Sequence, residues 1–132
     1  MTRKEIVTLC NQHRQSVNAP PLTYHSRLHR AAQCHANYMA KTQYMSHDEN
    51  IAGVKTVGER AHKANYSWTI IGENVAAGQT SASSVMNGWM NSEGHRKNIL
   101  NGHFRNIGLG FSKGANGVIY WCMVLGSWPG AQ

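Results

Sequence analysis

Ile107-Gly108-Leu109-Gly110-Phe111, Lys113-Gly114-Ala115-Asn116-Gly117 and Val118-Ile119-Tyr120-Trp121-Cys122-Met123-Val124-Leu125 decide the fold class. The two apolar runs read as strands, and the glycine-rich segment between them reads as a hairpin turn. Upstream, the apolar spacing is helical. Residues 2–17 place Ile6, Leu9, Cys10, His13 and Val17 at steps of three and four. Asn18-Ala19-Pro20-Pro21 ends that helix, because proline has no amide hydrogen and biases its predecessor away from helical angles. A second helix, from Tyr24 or His25 to Thr42, carries Leu28, Ala31, Ala32, His35 and Met39 on one face. After a polar stretch from Gln43 to Lys55, Thr56-Val57-Gly58-Glu59 forms a capping box that opens one short helix. Ile70 to Ala77 is strand-like with a polar centre. Val85, Met86, Trp89 and Met90 give a third amphipathic helix, with Ser92-Glu93-Gly94 expected to close it on a left-handed glycine. Helices first and paired strands last predict an α+β domain, a small antiparallel sheet covered by helices, spanning residues 1–132 as one unit.

A chain of 132 residues buries about two-thirds of its unfolded surface without needing disulfides. The formal charge of +7 favours anionic surfaces through long-range attraction. The basic residues are scattered, however, with no run of four and no nucleic-acid module, so they read as solvated surface charge and not as a nucleic-acid site. No 18-residue apolar window suggests a transmembrane segment. No secretory signal is evident; Thr2-Arg3-Lys4-Glu5 launches a helix at once, so either the protein is intracellular or a leader has been trimmed. Cys10, Cys34 and Cys122 fit no disulfide framework. Three buried thiols are the default expectation, with a Cys10 to Cys34 bridge as the alternative should the first two helices lie side by side.

Against this background, His47, Glu73, Glu93 and His95 stand out. They sit in Tyr44-Met45-Ser46-His47-Asp48, Gly72-Glu73-Asn74-Val75 and Trp89-Met90-Asn91-Ser92-Glu93-Gly94-His95-Arg96, beside small or turn-forming residues that leave room for a ligand. Imidazole and carboxylate titrate or bind borderline divalent metals. Glu73 lies inside an apolar run, where a carboxylate must find a partner. That partner is either a ligand site or backbone amides that hold a loop. His47 and His95 read equally as site residues or as solvent-exposed side chains. Ser46-His47-Asp48 is not a hydrolytic triad, since consecutive residues cannot adopt that geometry. His13 and His35, on apolar helix faces, read as core residues with one satisfied nitrogen.

Gly72-Glu73-Asn74-Val75-Ala76, Trp89 through Leu100, Ile107-Gly108-Leu109-Gly110 and Tyr120-Trp121, in that order, resemble the CAP superfamily: the cysteine-rich secretory, antigen 5 and pathogenesis-related 1 proteins, in their compact bacterial form. Leu9 through Arg14, Pro21 through Tyr24 and Ala31 through Ala36 are similar to that family's first two helices. The resemblance implies an α-β-α sandwich with a His/Glu cleft, in which His47, Glu73 and His95 match family motifs and Glu93 matches less well. It also implies secretion or a place in the cell envelope. The disulfides, cysteine-rich extension and long loops of the eukaryotic members are missing, so toxin or channel-blocking roles do not carry over.

Two imidazoles with a carboxylate at hand suit a zinc-like divalent ion, held by His47 and His95 with positions open for water or ligand. The resemblance similarly implies metal binding at the cleft, with a small-molecule, lipid, sterol, glycan or peptide ligand. The first expectation is therefore a secreted or envelope-associated binding module. The alternatives are a metal-dependent hydrolase using Glu73 or Glu93 as general base, and a structural domain whose tetrad only braces loops. With no evident nucleophile or oxyanion motif and only two histidine ligands, the enzyme reading is the weaker one.

Overall fold

A computed structural model describes residues 2–130. In chain order these form α1 (Thr2–Gln15), β1 (Thr23–Tyr24), α2 (Ser26–Thr42), α3 (Val57–Lys63), β2 (Ile70–Ala77), α4 (Ala82–Met90), α5 (Glu93–Leu100), β3 (Asn106–Lys113) and β4 (Ile119–Ser127). The strands form one sheet in the order β1-β3-β4-β2. β4 pairs antiparallel with both β3 and β2, while the two-residue β1 adds a parallel edge that the sequence did not suggest.

β4 explains why its sequence is apolar without alternation: both of its faces are covered. Trp121, Met123 and Leu125 join Ile6, Cys10, Val85, Trp89 and Ile99 in one core, under α1, α4 and α5. Tyr120, Cys122 and Val124 join Leu28, Ala32, Met39 and Ala61 in a second core, under α2 and α3. The expected α-β-α sandwich is therefore the observed one. In β3, Gly108 and Gly110 are required by close approach: a Cβ on Gly108 would fall on the backbone of Leu28 and His29, and one on Gly110 would lie 2.5 Å from Gln33 Cα. The absence of side chains lets α2 lie against the sheet backbone.

The layers also correct several expectations. Cys10 and Cys34 cannot bridge, because α1 packs on α4 and α5 while α2 lies across the sheet; all three cysteines are free. Cys10 and Cys122 are buried as expected, but Cys34 is exposed. On α1 the buried face is Ile6, Cys10 and Arg14, at steps of four, and Val17 is half exposed beyond the helix end. The buried Arg14 guanidinium donates to the carbonyls of Pro20, Ile99, Asn101 and Phe104, which offsets the cost of burying its charge. Gly94 closes nothing: α4 ends at Met90, and the extended backbone of Ser92 opens α5 with Glu93 and Gly94 in its first turn.

Candidate functional site

β2 is an edge strand, and its alternation sends neighbouring residues to opposite layers. Glu73 turns toward α3 and Asn74 toward α5. Asn74 Nδ2 donates to the His95 carbonyl at 3.1 Å, and Asn74 Oδ1 accepts from Asn98 Nδ2 at 2.9 Å. Asn98 Nδ2 also reaches the Glu73 carbonyl at 3.3 Å. These neutral amides fix the first two turns of α5, and hence His95, to the strand.

On the other face the Glu73 carboxylate is buried and fully occupied. Its Oε1 is 3.0 Å from His47 Nδ1, and its Oε2 accepts from Arg60 Nη2 at 2.8 Å and from the Cys122 thiol at 3.4 Å. Arg60, buried on α3, also donates to the carbonyls of His47, Val54 and Lys55. One guanidinium thus pins both ends of the 47–55 segment and aligns the carboxylate that holds His47. A second clamp comes from α2. His35, fully buried, places Nδ1 2.8 Å from Glu49 Oε2 and Nε2 2.6 Å from the Ser46 carbonyl. A carbonyl only accepts, so Nε2 carries a hydrogen. Both nitrogens are satisfied, not one as expected. The Arg60 guanidinium and the Glu73 carboxylate carry opposite charges, which offsets the cost of burying both.

The electrostatics follow from these contacts. Burial pushes the Glu73 carboxyl up, but the His47 hydrogen bond and the Arg60 charge outweigh it and hold the group below the usual glutamate range. The same hydrogen bond raises His47 above an ordinary histidine, against partial desolvation. Desolvation lowers His95, and the charge of His47 lowers it further. Burial keeps Cys122 a thiol and therefore a donor to Glu73.

Of the four residues singled out from sequence, the fold joins His47 to Glu73 directly, and ties His95 to the same strand through its carbonyl and Asn74. Glu93 is apart: its side chain is 72% exposed and its carboxylate pairs with Lys97 at 3.5 Å on the outer side of α5. Sequence reasoning missed Arg60, His35 and Glu49 as a linked set. The available signals were a helix-borne arginine following a capping box and a histidine on an apolar face. It also missed Asn98, one turn after His95. His47 keeps its ring 60% exposed, and because Nδ1 is engaged by Glu73, Nε2 is the nitrogen left for a ligand. Among the described residues, no three His, Cys, Asp or Glu side chains are arranged to hold a metal.

Residues 7–125 match the profile of the CAP family, the cysteine-rich secretory protein family. The chain belongs to the CAP family. An uncharacterised Bacillus subtilis (strain 168) protein, YkwD, is 36% identical over 108 residues, covering 82% of this chain and 41% of that protein. The crystal structure of an extracellular SCP-domain protein from Bacillus anthracis str. Ames aligns with a TM-score of 0.86 at 30% identity, over 95% of this chain and 40% of that one. An outer surface protein from Borrelia burgdorferi shares the fold, with a TM-score of 0.84 at 22% identity over 95% of this chain and 91% of that one. The CAP domain described here therefore spans about two-fifths of the two Bacillus proteins. Despite the family's description, its three cysteines form no disulfide.

Proposed function

We propose that this CAP domain is an extracellular or envelope-associated binding module whose His47 and His95 imidazoles take up a divalent ion, zinc by ligand type, and with it a small ligand. The observation that carries the reading is the hydrogen bond from His47 to buried Glu73. A carboxylate that orients one ring nitrogen and leaves the other free toward solvent is the usual outer-sphere support of a metal-binding histidine. His95 adds a second imidazole whose pKa is lowered, and a neutral imidazole is the form that ligates. A bound ion supplies a Lewis-acid contact for an oxygen or nitrogen atom of a lipid, sterol, glycan or peptide. Two protein ligands, one short of a common catalytic zinc site, give modest affinity and leave positions open. An extracellular setting is supported by the Bacillus anthracis and Borrelia burgdorferi relatives, which are described as extracellular and outer-surface proteins.

The hydrolase alternative is weaker. Both Glu73 oxygens are occupied and its carboxyl is held acidic, which makes it a poor general base, and Glu93 stands on the outer face of α5. The bracing alternative keeps one specific support, the Arg60 contacts to three loop carbonyls. A crystal soaked in zinc and measured at the zinc absorption edge tests the proposal. An anomalous peak between His47 and His95 supports it. No peak there, together with a large loss of melting temperature in the His47→Ala, His95→Ala double variant, leaves bracing as the role of the site.

A further inference from the structure

The segment from 43 to 55 does more than carry His47. Large apolar side chains are exposed at few places among the described residues, and three of them fall here: Tyr44 at 69%, Met45 at 48% and Ile51 at 51%. Single exposed apolar residues need no explanation, but a cluster on one loop does. Two side chains of α2 hold the segment beside them. His35 grips the Ser46 carbonyl, the Tyr38 hydroxyl accepts from the Asn50 amide at 3.0 Å, and the His35 and Tyr38 rings stack 6.2 Å apart on α2. Tyr44 and Met45 therefore precede one anchor, and Ile51 follows the other, on neighbouring positions of the same helix. Arg60 closes the loop at Val54 and Lys55, so the apolar tips are presented on a fixed frame and not on a slack strap.

The surrounding charge indicates what the tips meet. Exposed Lys41 and Lys55 flank the loop on either side. Of its two acidic residues, Glu49 is buried against His35, which leaves only Asp48 exposed. The chain as a whole carries +7. Apolar and aromatic side chains framed by lysines on a cationic protein complement an anionic bilayer, where the tips enter the acyl boundary and the ammonium groups stay among the headgroups.

We infer that the 43–55 loop docks this domain on an anionic lipid surface through Tyr44, Met45 and Ile51. The inference goes beyond the metal and ligand reading and does not depend on it, since zinc uptake and lipid docking are measured separately.

The test is co-sedimentation of the 132-residue chain with vesicles of phosphatidylcholine containing phosphatidylglycerol, compared with phosphatidylcholine alone. The expected result is partition onto the anionic vesicles only, weakened by salt, and lowered at least about tenfold in a chain carrying Tyr44→Ser, Met45→Ser and Ile51→Ser. All three side chains are exposed, so the variant keeps its fold, checked by an unchanged melting temperature. Lys41→Gln with Lys55→Gln separates the two contributions and lowers partition severalfold. Failure of the wild-type chain to bind anionic vesicles overturns the inference, including the case in which it self-associates through this loop instead. So does a triple serine variant that partitions like wild type, because attraction would then come from net charge alone.

Discussion

The two faces of β2 hold the same strand by opposite means. On one, Glu73 enters a buried set of charges with Arg60, His35 and Glu49 that fastens a long loop; on the other, Asn74 and Asn98 fasten α5 with neutral amides. The loop has no repeating backbone pattern of its own, and its carbonyls at Ser46, His47, Val54 and Lys55 are satisfied by side chains reaching in from α2 and α3. The helix satisfies its own backbone and needs only a tether. The comparison shows why His47 depends on charged partners, which are costly to disrupt, while His95 depends on interactions of ordinary strength.

The largest expected effect is on the charged face. Arg60→Met leaves Glu73 and Glu49 without the guanidinium and the His47 and Val54 carbonyls without a donor, and should cost about 3–5 kcal/mol in urea unfolding. On the amide face, Asn74→Ala removes one donor and one acceptor and should cost about 1–3 kcal/mol, with the loop unaffected. Equal costs on the two faces would mean that charged and neutral anchors hold the strand alike. Proton titration separates the two faces further. Glu73 is held below its unfolded pKa, so its contribution is fully present above about pH 4.3 and is lost as pH falls through the lower folded value. Glu73→Gln should therefore flatten the acid limb of the stability curve, whereas Asn74→Ala should shift the whole curve down without changing its shape. The histidines act in opposite directions. His47, raised, contributes below about pH 6.5 and loses that contribution as pH rises through its folded value; His95, lowered, contributes above about pH 6.5 and loses it on acidification. The smallest effect belongs to Glu93→Gln. It breaks only an exposed pair with Lys97 and should change stability by no more than about 0.5 kcal/mol, with zinc affinity unchanged.

Most of the architecture was legible because it rests on local rules. Helical spacing marked α1 and α2, the capping residue Thr56 is the N-cap of α3, and the glycine-rich turn joins β3 to β4. Glu73 was legible too, as a carboxylate where only a paired one is tolerated. What stayed hidden is set by tertiary contact. Nothing local tells that Arg14 and Arg60 are buried while the other arginines and lysines are not: Arg14 is held mainly by carbonyls far along the chain, and Arg60 by a loop that only the fold closes against it. Gly94 read as a helix end because left-handed glycine and first-turn glycine share one letter, and only the extended backbone of Ser92 separates them. Glu93 stood two residues before His95 in sequence, but residues two apart on a helix point about 200° from each other, and that rotation carries it to solvent.

We propose that His47 and His95, tied to β2 by two unlike anchors, act as one ligating pair. Calorimetric titration of zinc at mildly alkaline pH, above the ordinary histidine pKa, tests it most directly. One zinc per chain should bind wild type, His47→Ala and His95→Ala should each lose that binding, and Glu73→Gln should weaken it about ten- to a hundredfold. Zinc binding that survives either single histidine replacement unchanged would contradict the account.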